Sequence, residues 1–205
     1  VVAENYSRSA TILTSMGRAP LDAVLLDAGM SSMQVDDAER GFSFAKDGPL
    51  DMRMDQSTGV TAAALIARLS ITELEQLFQE FGEERRARAI AKKIVDVRRR
   101  APITRTTELA ELIRAVVGAT GRVHPATRVF QGLRIAVNSE LTALDEAVRD
   151  IPRLLAPNGR FCVITFHSLE EKIVKQRFRE AEIAGLVRSV TESPILPAVE
   201  EQEKN

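Results

Sequence analysis

The chain has 205 residues, enough for one good core or for a core with a smaller subdomain. Its 44% apolar and 28% charged residues are ordinary for a globular protein, and no apolar run approaches the ~18 residues that a membrane span needs. One cysteine, Cys162, and two histidines exclude an internal disulfide and a structural zinc site; with no secretory leader pattern, they favour a reducing, cytoplasmic compartment.

In chain order, Val1-Val2 reads as the tail of a strand, followed by Asn5-Tyr6 and a short helix over about residues 7–16. The apolar run from Ala23 to Leu26 ends on a single carboxylate, Asp27, and then breaks into small and polar residues. That pattern predicts a buried parallel strand that delivers an acid to the rim of an α/β sheet, where ligands of such sheets bind. Residues 28–58 are polar and punctuated by Gly29, Gly41, Gly48 and Pro49. A connection of that length inside a compact domain is usually functional or disordered.

From Thr61 to Val117 the periodicity is helical. One helix covers residues 62–69, and Ser70-x-x-Glu73 opens the next as a capping box. A third covers 83–100, stopped by Pro102, and a fourth covers 107–117, stopped by Gly118. Between Arg85 and Arg105 stand nine basic residues against one acid, Asp96, although the net charge of the whole chain is −1. Charge runs are usually solvated faces, but so one-sided a run would hold a phosphate backbone. Aromatics at 4% with no Trp do not indicate broad base stacking.

A long helical pattern follows over about 127–148, in which Phe130, Gln131, Arg134 and Asn138 share a face and suggest a partly buried polar network or packing between domains. Pro157-Asn158-Gly159 reads as a turn, residues 160–166 as a second strand, and Ser168-x-x-Glu171 as the cap of a last amphipathic helix with Ile173, Val174 and Phe178. The order predicts a parallel α/β sheet interrupted by an all-helical insertion. Tyr6, Asp27 and His167-Ser168 then converge at strand ends, although Asp27 reads equally as a turn residue and His167 better as a structural histidine. No Gly-x-Gly pair and no Gly-Lys-Ser/Thr is present, so the usual cofactor loop and a P-loop are both missing.

Six blocks carry a resemblance. They are Leu25-Leu26-Asp27-x-Gly29-x-Ser31-Ser32-x-Gln34; Asp37-Ala38-Glu39-Arg40-Gly41-Phe42-Ser43-Phe44; Asp47-Gly48-Pro49-Leu50-Asp51-Met52-Arg53-Met54; Phe81 to Arg85; His124-Pro125-Ala126-Thr127-Arg128; and Phe166-His167-Ser168-Leu169-Glu170. In this order they resemble the bacterial small-subunit ribosomal RNA cytosine-N4 methyltransferases. The resemblance implies a class I Rossmann-like S-adenosylmethionine-dependent methyltransferase with an inserted all-helical subdomain. Its substrate would be a cytosine in the decoding region of small-subunit ribosomal RNA, free or in the small ribosomal subunit.

The resemblance places the Rossmann-like domain at 1–38 and 127–205, and the inserted substrate-recognition domain at 39–126. It implies a chain incomplete at the N-terminus, and at the C-terminus too, whose glycine-rich cofactor loop lies upstream and which would be inactive alone. Cofactor contacts are expected at Tyr6, Asp27 and Gln34, and Asp27 or a backbone carbonyl of its loop is the candidate acceptor for the cytosine amine. Arg85, Arg88, Lys92, Lys93, Arg98, Arg99, Arg105 and Arg128 are the candidates for RNA phosphates. Two alternatives are a non-catalytic RNA-binding or ribosome assembly factor and, less favoured, a phosphoacceptor signalling domain, against which the basic helical insertion counts.

Overall fold

A computed structural model describes residues 1–118, 123–191 and 193–197. It is a mixed α/β structure with a two-stranded parallel sheet, and it divides into two compact units, residues 1–27 with 143–205 and residues 28–142. No helix among the described residues is long and apolar enough to cross a membrane.

The first unit is built on β1, Leu21–Asp27, and β2, Leu155–Ile164. They run parallel, with Val24 opposite Phe161 and Asp27 opposite Ile164. The expected turn at Pro157-Asn158-Gly159 sits inside β2 as an irregularity, since Leu21 pairs Leu155 but Ala23 pairs Arg160. Asn158 adopts a left-handed φ of 66° there, and a Cβ on Gly159 would lie 2.7 Å from the Leu21 carbonyl oxygen. Val1-Val2 lies in coil rather than a strand; Tyr6–Arg8 forms a 3-10 turn and Ser9–Ser15 the helix α1.

β1 is less buried than its apolar run suggests. Leu26 is buried, but Leu25 is 67% exposed, because within this unit β1 has one strand partner and no covering layer on that face among the described residues.

The second unit is helical and holds the main core. It contains α2, Ser32–Asp36, a 3-10 turn at Ala38–Arg40, and then α3, Ala62–Arg68, α4, Ile71–Glu80, α5, Ala87–Arg98, α6, Thr106–Val117, and α7, Thr127–Asn138. The Ser70–Glu73 capping box forms as expected, with the Ser70 N–H donating to Glu73 at 2.7 Å and the Glu73 N–H donating to Ser70 Oγ at 3.2 Å. Phe78, Ile90, Ile94, Leu109, Ile113 and Leu133, drawn from α4 to α7, are fully buried together. α4 and α7 approach through glycines: a Cβ on Gly82 would lie 2.4 Å from the Arg128 carbonyl oxygen, and one on Gly132 would lie 3.2 Å from the Gly82 nitrogen. α7 therefore packs with the helical unit, contributing Val129, Phe130 and Leu133 to its core, and the compact units are bounded at 28 and 142 rather than at 39 and 126.

Two helices differ from the sequence reading. The third starts at Ala87 instead of 83, because Glu83 takes a left-handed φ of 50° and the buried Glu84 accepts the Arg86 N–H at 2.7 Å. The long pattern at 127–148 is two helices, broken where Ser139 takes φ 52°, with α8 running over Glu140–Asp150. The last helix, α9, Ser168–Ile183, packs on β2 through an edge-to-face pair of Phe178 and Phe161, centroids 5.4 Å apart.

Candidate active site

Parallel pairing puts the carboxyl ends of β1 and β2 side by side, so Asp27 and the segment after Ile164 share one sheet edge. Asp27 is exposed there. Following β2, Phe166 is 69% exposed, whereas His167 is largely buried and serves as the N-cap of α9. Its Nδ1 accepts the Glu170 N–H at 3.4 Å, and its Nε2 stands 3.3 Å from Glu170 Oε1.

Glu170, 2% exposed, accepts the Phe166 N–H at 2.8 Å. The cap is thus shifted one residue from the expected Ser168–Glu171 box. The imidazole acts as the capping acceptor, and the reach-back carboxylate is the one on the buried face of α9. His167 thus caps α9 through Nδ1, while its buried Nε2 makes no hydrogen bond among the described residues.

Tyr6, half-buried, opens the 3-10 turn ahead of α1 in the same unit as Asp27. Gln34 belongs to the helical unit, in α2. Its side-chain Oε1 accepts the Ser31 N–H at 3.0 Å and so caps the short helix, which leaves the amide NH2 as the group it can offer.

The connection between Asp27 and α3 is far from disordered. Arg40 donates to the carbonyls of Arg53 and Met54, each at 2.8 Å, and its guanidinium lies 5.7 Å from the Phe42 ring centroid. Asn138 on α7 donates to the Met52 carbonyl at 2.8 Å and accepts the Met54 N–H at 2.7 Å. Met52 is fully buried with φ 63°, a left-handed conformation held by these bonds and by its own N–H to the Arg40 carbonyl at 3.0 Å. Asp51 and Arg53 form a two-pronged pair at 2.8 and 2.9 Å, which holds the Asp51 carboxyl below the usual carboxylate range.

Gly41 sits where a Cβ would meet the Pro49 carbonyl oxygen at 2.1 Å. The polar stripe on α7 is therefore a network inside the helical unit. Gln131 donates to the Phe81 carbonyl at 3.2 Å, and Arg134 pairs with the buried Glu140 at 2.8 Å. Spacing alone marks these residues but not their partners, because Met52 and Met54, which Asn138 holds, come from a loop without periodicity.

The basic candidates separate by partner. Arg98 donates to the Ile66 carbonyl, Arg128 to the Glu83 carbonyl at 3.3 Å, and Arg88 pairs with Glu75 at 2.8 Å. Arg105 pairs with Asp47 at 2.7 Å, and with Thr107 it holds the Asp47 carboxyl below its ordinary range. Arg99 lies 3.7 Å from Asp96. Arg85, Lys92 and Lys93 are exposed and enter none of these pairings. Arg86, counted in the charge run, donates to the Val116 carbonyl at 3.0 Å and closes the C-terminus of α6.

These geometries accompany a clear kinship. A family model described as the MraW methylase family matches residues 1–205. The chain belongs to the MraW methylase family. Among curated proteins, the chain is 54% identical over 178 residues to a protein from Syntrophotalea carbinolica named Ribosomal RNA small subunit methyltransferase H, covering 85% of this chain and 57% of that relative. A protein of the same name from Magnetococcus marinus is 52% identical over 177 residues, covering 86% of this chain and 56% of that relative. Another, from Desulforapulum autotrophicum, is 44% identical over 221 residues, covering 98% and 71%. The chain thus spans a little over half the length of the first two MraW methylase relatives.

Proposed function

We propose that the whole protein transfers a methyl group from S-adenosylmethionine to the exocyclic N4 of a cytosine in the decoding region of small-subunit ribosomal RNA. In this reading β1 and β2 belong to a class I Rossmann-like domain, and the helical segment between them recognises the RNA. The observation that carries it is Asp27, an exposed carboxylate at the end of β1, level with the end of its parallel partner, in a member of the MraW methylase family.

The residues suit the cofactor. An exposed carboxylate can accept hydrogen bonds from hydroxyl or ammonium groups, the Tyr6 ring can pack on an adenine, and the Gln34 amide NH2 can donate. When bound, S-adenosylmethionine supplies an electrophilic methyl on a sulfonium. Cytosine N4 is a weak nucleophile because its lone pair is delocalised into the ring. Asp27, or a carbonyl of the loop after it, accepts one N4–H hydrogen bond, which orients the lone pair, and the extra proton of the methylated nitrogen leaves along that bond to Asp27 or to solvent. Much of the gain from such a site is positioning of the two reactants. Base access requires a splayed nucleotide, and Arg85, Lys92 and Lys93 hold phosphates without reading sequence.

The test is methyl transfer to small-subunit RNA by the full-length protein, with calorimetry of S-adenosylmethionine binding alongside. Asp27→Ala is expected to abolish transfer. Transfer at the wild-type rate would remove Asp27 from the mechanism, and a wild-type protein that methylates no small-subunit RNA would overturn the reading itself.

A further inference from the structure

Two of the six sequence blocks meet inside the helical unit, although 80 positions separate them. Phe44, from the Gly41-Phe42-Ser43-Phe44 block, stacks on His124 of the His124–Arg128 block, with ring centroids 4.5 Å apart and planes inclined by 30°. Phe44 also makes an edge contact with the buried Phe130, centroids 4.9 Å apart. The His124 ring is fixed rather than free to turn, because its Nδ1 accepts the Ala126 N–H at 3.1 Å. That bond leaves the proton of the neutral ring on Nε2, as a donor.

Beside this ring pair lies a cavity of about 160 Å3, walled by Phe44 and His124 and by Thr107, Ala110, Glu111 and Arg114 of α6. The four α6 positions recur at three- and four-residue intervals and form one stripe of the helix. Thr107 is held by its hydroxyl to Asp47 at 2.6 Å, while Arg114 and Glu111 are exposed. The volume is below the roughly 300–1,000 Å3 of pockets that enclose drug-sized ligands, so it suits one ring and not a whole nucleoside cofactor. A pre-set π-face, a ring N–H donor, a guanidinium and a carboxylate are the groups that receive an unstacked base and read its edge.

We propose that this pocket takes one unstacked base of the RNA substrate, flanking the cytosine that is methylated, with the base stacked on the His124–Phe44 pair and its edge against Arg114 and Glu111. The proposal rests on the RNA-methyltransferase reading above and adds a second base-binding point, built wholly within the helical unit. It concerns RNA holding and not chemistry. Its loss therefore raises the RNA requirement and leaves the turnover of bound substrate.

The experiment uses the full-length protein and a single-stranded oligonucleotide that carries the target cytosine and its neighbours. His124→Ala is expected to raise the RNA KM about tenfold, the size of one lost base stack, and Arg114→Glu to raise it through the lost edge contact, with kcat within about twofold and S-adenosylmethionine affinity unchanged. An oligonucleotide scanned with single abasic positions should show one flanking site that costs the wild type about as much and costs His124→Ala nothing further. Arg114→Glu alters only an exposed helix position, so it decides the matter if His124→Ala fails to fold. Wild-type activity with an unchanged RNA KM in Arg114→Glu, or with no abasic position that loses its effect in a pocket variant, would overturn this pocket and leave the methyltransferase reading standing. Absence of wild-type transfer would strike that reading instead.

Discussion

Asn138→Ala removes one side chain that makes three hydrogen bonds, and the structure sets the size of the loss. The amide donates to the Met52 carbonyl at 2.8 Å and the Arg134 carbonyl at 2.9 Å, and it accepts the Met54 N–H at 2.7 Å. The Arg134 contact lies within α7, but the other two fasten a loop more than 80 positions away in sequence. A net hydrogen bond is worth about 1 kcal/mol, and stranding a buried partner costs about 1–3 kcal/mol. Asn138 is half-buried, so we expect a total of about 2–4 kcal/mol, a fall in Tm on the order of 5–15 °C for a chain this size. Asn138→Asp should not rescue it, since a carboxylate keeps the acceptor for Met54 but faces the Met52 carbonyl without a donor. The assay is urea denaturation with hydrogen exchange at the Met54 amide, which should lose protection in Asn138→Ala and keep more of it in Asn138→Asp, where the acceptor remains. A loss below about 0.5 kcal/mol with Met54 protection intact would refute the view that α7 clamps this loop.

Further outcomes follow from the same kind of geometry. Arg53 hydrogen bonding holds the Asp51 carboxyl below its ordinary value. Its contribution to stability is therefore full above the unfolded value of about 3.9, and it is lost as pH falls through the depressed folded value. Acid titration of Asp51→Asn should lack that part of the wild-type loss, and equal slopes below pH ~4 would contradict the pairing. Gly82→Ala would bring a methyl within 2.4 Å of the Arg128 backbone oxygen and should cost about 1–3 kcal/mol in denaturation. Gly132→Ala, at 3.2 Å, should cost less, and the reverse order would dispute the glycine contact between α4 and α7. Replacing Arg85, Lys92 and Lys93 together by Ala should lower the salt slope of RNA binding by about 2, at roughly 0.7 per phosphate contact on a single strand. An unchanged slope would move the RNA surface elsewhere.

Much of the fold is legible in the sequence, and the reasons it fails are local. The Ser70–Glu73 box and the stop at Gly118 are read correctly because each depends on a few neighbouring residues. The break at Ser139 escapes periodicity, since the apolar spacing runs through it and only a left-handed φ at a serine marks it. The parallel partner of β1 is legible as a second apolar run, but the Pro157-Asn158-Gly159 signal misplaces its start, because the chain keeps pairing on either side of the irregularity. Asp27 is legible as a strand-end acid; the Gln34 side chain is legible only as a polar residue, and its role in closing α2 needs the backbone.

The basic run shows how a count of charges and a map of partners diverge. Nine cations against one acid predict a strong phosphate field, which Glu75 and Asp47, paired with Arg88 and Arg105 from outside the run, partly offset. Contact is different, because a guanidinium already bonded to protein must give up those bonds to reach a phosphate. Arg98 is spent on the Ile66 carbonyl and Arg86 on the end of α6, so both hold helices in place. Arg105 faces Asp47 in an exposed pair, which is worth little and exchanges readily with a competing anion, whereas Arg88 faces the largely buried Glu75. The basic segment therefore commits Arg86 and Arg98 to the protein and leaves exposed Lys92 and Lys93 for the RNA contact proposed above. Arg98→Ala should then cost stability before affinity, whereas Lys92→Ala should cost affinity alone.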